Sequence, residues 1–376
     1  MLGLALLAQS RRDVRGVLGA AAAALALPAA YEVFRAGYYG ALVPNTALAK
    51  GAGEASYGSG LDYLADYGGR YLLALPVLAV AVGLGVTRYA QLWRSRDLAV
   101  GALLVAPVLG GLVHAAFVVR VGGDFMHGRF LLPATFCVLL PWAAVAVGEG
   151  LSRLRTAAVL AVVVVWAAAV GTSVRVPYTG SFSATGITDE RGAYVIAAQT
   201  PNPTSVEDYD SPSVGSWYGY ASDARDRVAL GERVLVADGA LHPAAPGYGV
   251  VVRFANIGIF GVRAGDGVFV ADRLSLASAV GARLVLPPQP NGRIGHSQEV
   301  PLEWDLARYA AASPTDPPGV VAARAALSCG ALRELDEAVR APMTVGRFTD
   351  NLRSSVSLTR LEVPADPEQA RAALCR

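Results

Sequence analysis

Five apolar stretches, each about 20 residues long, occupy most of the first half of this 376-residue chain. A stretch of that length can cross the roughly 30 Å hydrocarbon layer of a bilayer as a helix, which satisfies its own backbone hydrogen bonds. The stretches are Val14–Phe34, Gly69–Val86, Leu98–Val119, Phe130–Val147 and Thr156–Thr172. The sequence therefore predicts an α-helical polytopic membrane domain, with the lipid bilayer as its solvent.

Charged residues are distributed unevenly along the chain. Only seven of the 30 acidic residues lie within residues 1–148, whereas the other 23 lie beyond residue 148. This asymmetry predicts two domains, a transmembrane domain over residues 1–174 and a water-exposed domain over residues 175–376. A net charge of +2 without a long basic cluster gives no surface that could neutralise nucleic-acid phosphates, so nucleic acid is excluded as a partner.

Arginines between the apolar stretches indicate the orientation of the chain. Short cytoplasmic loops carry an excess of Lys and Arg, and three such groups fall on one side of the predicted membrane. They are Arg11, Arg12 and Arg15, then Arg88, Arg94 and Arg96, then Arg153 and Arg155. The prediction is a multi-pass plasma-membrane protein whose loops at residues 38–67 and 120–129 lie outside, together with everything after Arg175.

The first external loop contains a polar and aromatic segment, Tyr38–Lys50. Tyr38 and Tyr39 could belong to an aromatic belt at the membrane surface, or they could pack on a sugar ring. Pro44 is followed by Asn45 and Thr46, which predicts a helix start with one of the two as its cap. Together with Lys50, these side chains offer hydrogen bonds and a positive charge to a sugar or a phosphate.

The second external loop, Arg120–Arg129, concentrates charged residues within ten positions. Ionisable groups at the end of membrane helices are costly unless they face a cavity or a partner, so Asp124, His127 and Arg129 are candidate site residues. The alternative is that Asp124 and Arg129 form an ion pair that closes the hairpin, with glycines making the turn. The sequence leaves both interpretations open.

The C-terminal half predicts a small α/β domain. Short apolar runs at Arg233–Asp238, Gly249–Arg253 and Val268–Asp272 are typical of buried strands. Helical patterns cover Leu274–Leu284, Glu303–Ala312, Val320–Val339 and Gly346–Ser355, and Val176–Thr204 has the composition of a linker. Interleaved strands and helices favour an α/β arrangement.

Four residues of this half leave an open question. Asp238 and Asp272 each end a predicted strand, where they could line a crevice, although capping of a turn is favoured. Cys329 and Cys375 could form one disulfide if the domain lies in an oxidising compartment, or they could remain two thiols.

Two segments carry a resemblance to a known family. Tyr38–Lys50 reads YYGALVPNTALAK, and Gly122–Pro133 reads GGDFMHGRFLLP. Both resemble the terminal β-(1→2)-arabinofuranosyltransferases of mycobacteria and corynebacteria, which are multi-span, lipid-donor glycosyltransferases of the GT-C class. Shorter similarities continue into the C-terminal half, including the run that ends at His296.

The resemblance implies transfer of arabinofuranose from decaprenyl-phosphate arabinose to the arabinan ends of arabinogalactan and lipoarabinomannan, outside the plasma membrane. An inverting transfer needs a carboxylate that removes the acceptor proton, and Asp124 is the only acidic residue of the two segments. It could alternatively position the donor or the acceptor. The remaining candidates would bind substrate; they are Tyr38, Tyr39, Asn45, Thr46, Lys50, His127, Arg129 and His296.

The resemblance settles neither the cofactor nor the activity of the chain. The departing lipid phosphate needs stabilisation, which a divalent cation or Arg, Lys, His and amide donors could supply. No cofactor is certain. Family members are longer at the N-terminus and place their presumed base there, so we expect an N-terminally incomplete sequence. The alternative function is a truncated, non-catalytic membrane protein that binds envelope glycan.

Overall fold

The structure, a computed structural model, describes residues 14–51, 53–85, 98–142, 151–173, 185–209, 216–287 and 299–375. The chain divides into two compact units. The first unit comprises Met1–Ala29 and Glu54–Glu190, and the second comprises Ala30–Gly53 and Arg191–Arg376. The segment Tyr38–Lys50 therefore belongs to the same unit as the C-terminal half. The boundary predicted between residues 174 and 175 lies outside the described residues and stays a prediction.

Helices account for most of the described residues before 174, because Ala, Leu and Val dominate there and few side chains compete for backbone hydrogen bonds. Their bounds are α1 Val14–Tyr39, α2 Asn45–Ala49, α3 Tyr57–Arg70, α4 Ala74–Val80, α5 Leu98–Arg120, α6 Leu132–Leu139 and α7 Leu151–Ser173. A π-helical turn continues α4 and a 3-10 turn continues α6. Helix α1 extends beyond its predicted end at Phe34, so Tyr38 and Tyr39 are helical.

Among the described residues, one helix, Arg153–Ser173, is by itself long and apolar enough to cross a membrane. Tyr57–Arg70 with Ala74–Gly83 meets the same criterion only if two helices bent by 74° are counted as one span. The described residues thus support the last of the five predicted spans most clearly. The complete five-span domain stays a prediction.

The second unit contains an α/β core. Residues 216–272 include four strands, namely β1 Val234–Ala237, β2 Ala240–Pro243, β3 Val250–Phe254 and β4 Val268–Asp272. They form a sheet in the order β2-β1-β3-β4, in which β1, β3 and β4 are parallel and β2 is antiparallel to β1. The three predicted strands are confirmed. Strands β1 and β3 are almost entirely buried, which explains their continuous apolar sequences.

Helices cover both faces of this sheet. The described helices of the C-terminal half are α8 Glu190–Ala198, α9 Ser216–Ala229, α10 Ile257–Ala264, α11 Leu302–Tyr309, α12 Pro318–Leu327, α13 Gly330–Arg340, α14 Val345–Thr359 and α15 Pro367–Leu374. Ala224 and Phe260, from α9 and α10, pack on one face, and Tyr309 packs on the other. A further core around Trp304 and Leu335 joins the later helices to a short parallel pair, β5 Leu284–Val285 and β6 Val363–Pro364.

Three predictions for the C-terminal half are wrong in detail. The predicted helix Leu274–Leu284 is instead a turn followed by the 3-10 turn Gly281–Arg283, because the carboxylate of Asp272 accepts hydrogen bonds from backbone amides of that stretch. The predicted helix Val320–Val339 is two helices, which are separated where Gly330 adopts a φ of 46°. The predicted linker contains helix α8.

The two cysteines of the C-terminal half form a disulfide. Cys329 and Cys375 lie with their Cα atoms 5.1 Å apart and join the start of α13 to the end of α15. The structure therefore selects the bridge over two unpaired thiols.

Candidate functional site

The loop Arg120–Arg129 follows α5 in the first unit, and its path depends on glycine. Gly122, Gly123 and Gly128 have φ values of 90°, 78° and 66°, a region that other residues rarely adopt. A Cβ atom on Gly123 would lie 2.5 Å from Cβ and Cγ of Tyr63, and one on Gly128 would lie 2.6 Å from Cδ2 of Tyr67. Glycine is thus required both for the backbone conformation and for the close approach to α3.

Helix α3 fixes this loop through the tyrosines on its buried face. The hydroxyl of Tyr63 donates to the carbonyl oxygen of Met126 over 2.9 Å and accepts from the backbone amide of Phe130 over 3.2 Å. Tyr67 hydrogen-bonds Thr135 at the start of α6 over 3.1 Å. The spacing of four residues places both tyrosines on one face of α3, where they pack against the loop.

A short extended segment holds the other side of the loop. Thr188 donates its backbone N–H to the carbonyl oxygen of Phe125 over 2.8 Å and accepts from the backbone N–H of His127 over 3.1 Å. These two bonds form an isolated parallel bridge between Met126 and Thr188. The peptide groups on either side of Met126 are therefore fixed, and the second of them carries the backbone N–H of His127, which limits where its imidazole can lie.

Asp124 forms an ion pair with Arg129. The side chain of Asp124 is completely buried, and its Oδ2 lies 2.5 Å from Nη2 of Arg129, whose side chain is 42% exposed. The hairpin-closing ion pair that the sequence left open is therefore present. In this arrangement the carboxylate orients the guanidinium and neutralises its charge.

His127 pairs with Asp66, a residue that the sequence did not single out. Nδ1 of His127 contacts Oδ2 of Asp66, and Oδ1 of Asp66 lies 2.8 Å from Nε of Arg70. The ring of His127 packs edge-on against Tyr71, with 4.9 Å between centroids. The signal for Asp66 was its position on α3, one residue before Tyr67 and four before Arg70, on a helix that also carries Tyr63 four residues before Tyr67.

The pairing with Asp66 determines what His127 can offer to a ligand. An imidazole whose Nδ1–H is donated to a carboxylate has a fixed orientation and only Nε2 left for another partner. Nε2 of His127 is enclosed and has no hydrogen-bond partner among the described residues. In the protonated form this nitrogen donates to an oxygen, and in the neutral form it accepts a proton.

The segment Tyr38–Lys50 is placed within the second unit. Tyr38 and Tyr39 are 43% and 51% exposed, and Tyr38 stacks on Phe34 with 5.2 Å between centroids. Thr46 is exposed on α2, and Lys50 is half-buried at its end. The aromatic surface that the sequence predicted is present at the end of α1.

The predicted cap of α2 is wrong. The helix begins at Asn45, Pro44 occupies the N-cap position, and the cap makes no side-chain hydrogen bond. The carboxamide of Asn45 instead accepts a hydrogen bond from Nη1 of Arg283 over 3.2 Å. A buried guanidinium therefore competes successfully for the oxygen that would otherwise cap the helix.

His296 lies outside the described residues, so its substrate-binding role stays a prediction. Among the residues that the structure describes, no group of three or more His, Cys, Asp or Glu side chains could hold a metal ion.

At the carboxyl ends of the parallel strands, where a crevice was the less favoured alternative to turn capping, charged side chains pair with one another. Arg253, whose side chain is almost fully buried, donates to Asp305 over 2.8 Å and to Asp238 over 2.9 Å. Asp272 accepts from the backbone amide of Leu274 over 2.8 Å, which confirms turn capping as its role. Burial raises the pKa of Asp305 to about 6, although its bond to Arg253 opposes the shift.

These features define a class of protein. It combines an apolar helical unit, which carries a charged loop with several glycines, and an α/β unit that is cross-linked by a disulfide. Residues 244–373 match the family model described as the AftB family C-terminal domain. This match lies outside the two motif segments; together with the two relatives described next, which extend the similarity over most of the chain, it confirms the resemblance.

The chain is also similar to two curated relatives, each named terminal β-(1→2)-arabinofuranosyltransferase. It is 32% identical to the protein of Corynebacterium glutamicum over 398 aligned positions, which cover 94% of this chain and 56% of the relative. It is 31% identical to the protein of Mycobacterium tuberculosis, covering 91% of this chain and 62% of the relative. The chain thus spans about three-fifths of the length of these relatives. No solved structure matches it.

Proposed function

We propose that this chain transfers arabinofuranose from decaprenyl-phosphate arabinose to the termini of arabinan in arabinogalactan and lipoarabinomannan. The observation that carries the proposal is the similarity to two arabinofuranosyltransferases over 94% and 91% of the chain. Both motif segments fall within that similarity, and each presents polar groups suited to a sugar phosphate.

The proposal assigns a role to each charged pair of the first unit. The departing lipid phosphate carries negative charge, so the transition state is stabilised by cations and hydrogen-bond donors that are already oriented. Arg129, held by Asp124, and His127, held by Asp66, are two such donors on one loop. A guanidinium that is fixed by a buried carboxylate loses less entropy when it binds a phosphate than a free one does.

We propose Asp124 as the general base of the transfer. Asp124 is the carboxylate of the two motif segments, and it can accept the proton of an acceptor hydroxyl only after Arg129 releases it. While the pair is intact, Asp124 acts through Arg129. A divalent cation could share the stabilisation of the phosphate, and removal of metal tests that contribution.

Tyr38, Tyr39, Asn45, Thr46 and Lys50 form the second group of proposed substrate-binding residues. Exposed tyrosine rings pack well on the faces of sugar rings, while Lys50 supplies a point charge for an anionic lipid donor. His296 is proposed as a substrate-binding residue on the basis of the family resemblance alone.

We further propose that the chain is a multi-pass plasma-membrane protein with its C-terminal domain outside the cytoplasm. The helix Arg153–Ser173 can span a bilayer, and its exposed Val164 and Val165 suit contact with lipid. The disulfide Cys329–Cys375 supports an oxidising compartment for the domain. A membrane-impermeant protease applied to intact cells should cleave the C-terminal domain; cleavage only after lysis would contradict this orientation.

Transfer is tested with purified protein in nanodiscs. Labelled decaprenyl-phosphate arabinose is mixed with a synthetic oligo-arabinoside, and the lengthened acceptor is separated by chromatography. The proposal expects acceptor that is longer by one arabinose, and methylation analysis of the product then tests the β-(1→2) linkage. Binding of the oligo-arabinoside without any labelled product would instead favour a glycan-binding protein.

A further inference from the structure

Arg283 is a buried cation whose partners set it apart from other buried arginines of the second unit. It ends the 3-10 turn Gly281–Arg283 and is only 4% exposed. Among the described residues, Arg283 forms no ion pair with a carboxylate, whereas Arg253 pairs with Asp238, Glu299 and Asp305. Since burying a guanidinium without a carboxylate partner costs free energy, the hydrogen bonds that Arg283 does make must offset that cost.

Those contacts are two backbone carbonyl groups and one carboxamide. Nε donates to the carbonyl oxygen of Leu358 over 2.6 Å, and Nη1 donates to that of Ala279 over 2.8 Å. Leu358 lies in the last turn of α14, where carbonyl groups carry partial negative charge and attract cations. The remaining bond, 3.2 Å long, goes from Nη1 to Oδ1 of Asn45.

This bond determines how Asn45 can meet a ligand. A guanidinium has donors only, so the carboxamide atom that faces Arg283 must be the oxygen. Oδ1 is therefore occupied, and the group left for another partner is the Nδ2 amide, a donor of two hydrogen atoms. An amide donor suits an oxygen atom of an anionic sugar phosphate.

The backbone of the motif segment is held independently of Arg283. The amide of Leu42 donates to Oγ1 of Thr359 over 2.8 Å, and Gly40 packs closely on Ala338, with 3.1 Å between its ideal Cβ position and that of the alanine. Loss of Arg283 should consequently release the side chain of Asn45 more than it displaces the segment.

We propose that Arg283 is a positioning residue for substrate binding. It holds the carboxamide of Asn45 so that the Nδ2 amide donates a hydrogen bond to the lipid-linked sugar phosphate, the donor substrate. This inference rests on the proposed transfer, and it gives the AftB-type C-terminal domain a part in binding the donor, because Arg283 lies within the matched residues 244–373.

The variants R283Q and N45A, alone and combined, test the proposal in nanodiscs. A single net hydrogen bond contributes about 0.5–1.5 kcal/mol, which corresponds to a rise of roughly 2- to 10-fold in the donor KM for either variant. The donor KM of the double variant should not exceed the higher of the two single-variant values, since both substitutions remove the same interaction. The acceptor KM and kcat should change little.

N45D separates the two functions of the carboxamide. A carboxylate keeps and strengthens the bond to Arg283 but replaces the amide donor with a negative charge that repels the phosphate. N45D should therefore raise the melting temperature while it raises the donor KM more than N45A does. A donor KM equal to that of the wild type in N45D would overturn the proposal.

R324Q is the matched control. Arg324 also donates to two backbone carbonyl groups of the same unit, those of Ala307 and Ala310, over 2.9 and 3.2 Å, and in addition it pairs with Asp316 over 3.1 Å. The substitution R324Q should lower the melting temperature without changing the donor KM. If R283Q behaves in the same way, or if the effects of R283Q and N45A are additive, Arg283 has a purely structural role.

Two further measurements keep the test decisive. If R283Q does not fold, R283K retains the charge with a single donor group and should raise the donor KM at a preserved melting temperature. Binding of decaprenyl phosphate to the same variants is measured in parallel. An absence of turnover in the wild type would count against the proposed function alone, whereas unchanged binding by R283Q and R283K would count against the role of Arg283.

Discussion

Nδ1 of His127 pairs with Oδ2 of Asp66, although 61 positions separate the two residues in the chain. One lies on a glycine-built loop and the other on a helix that packs against that loop. The pair connects the motif segment to a helix that carried no obvious functional signature, and it specifies how the imidazole is presented.

Replacing Asp66 by Asn tests the importance of this pair for transfer. The amide preserves the shape of the side chain but removes the charge that orients His127. Hydrogen bonds to charged groups contribute about 1.5–3 kcal/mol, so we expect kcat/KM to fall roughly 10- to 100-fold. Asp62 is an exposed acidic residue one turn earlier on α3, and D62N serves as the control. Equal activity of D66N and D62N would show that the pair has no part in transfer.

Gly123 is the position of the loop that is least tolerant of a side chain. Alanine there would combine a φ of 78° with a contact of 2.5 Å to Tyr63, whereas Gly186 has a φ of 75° and open space around its Cβ position. Backbone strain alone costs about 1–3 kcal/mol, which both variants share. G123A should therefore lower the melting temperature more than G186A. Similar losses in the two variants would contradict the close packing on Tyr63.

The disulfide should stabilise the C-terminal domain appreciably. A native bridge usually contributes about 2–4 kcal/mol by restricting the unfolded chain. The double variant C329S/C375S should have a lower melting temperature in nanodiscs, and dithiothreitol should no longer affect it. C137S removes the free cysteine and should retain the response of the wild type to the reductant. A wild-type protein that is insensitive to reduction would show that the bridge has little effect on stability.

Asp305 should make the stability of the second unit depend on pH. Burial raises its folded pKa to about 6, above the unfolded value of about 3.9, so the folded state binds this proton more tightly. Its contribution to the unfolding free energy is complete below pH 4 and is lost as the pH rises through 6. Burial also raises the pKa of Asp272, which acts in the same direction.

The measurement is the melting temperature of the wild type and of D305N between pH 4 and 7. Titration of Asp305 should lower the unfolding free energy of the wild type by no more than about 1.4 kcal/mol per pH unit. The dependence of stability on pH should have a smaller slope in D305N. D316N, at the end of the loop before α12, should retain the slope of the wild type. The same slope in D305N and the wild type would exclude Asp305 as its source.

The strands and the two motif segments could be predicted from the sequence because each depends on a local pattern. Buried parallel strands are continuous apolar runs, as in β1 and β3, and glycines mark the loop before His127. The side-chain partners could not be predicted. Asn45 and Arg283 lie 238 positions apart, and no periodicity in either segment encodes their bond.

The helix predicted at Leu274–Leu284 shows how a local pattern fails. Its composition favours a helix, but Asp272 at the end of β4 accepts from the amides of Leu274 and Ala277, which commits that backbone to a turn. Similarly, the apolar pattern of Val320–Val339 is continuous, whereas the chain breaks at Gly330 next to the bridged Cys329. In the first place a local side-chain hydrogen bond overrides helix propensity, and in the second the break coincides with a glycine at positive φ beside the disulfide.

Transfer of labelled arabinose from decaprenyl-phosphate arabinose to an oligo-arabinoside, by this chain in nanodiscs, is the most direct test of the account. We expect a product one arabinose longer, formed by the wild type and by D62N and strongly reduced in D66N. A wild-type protein that binds decaprenyl phosphate and the oligo-arabinoside but forms no lengthened product would contradict the proposed function.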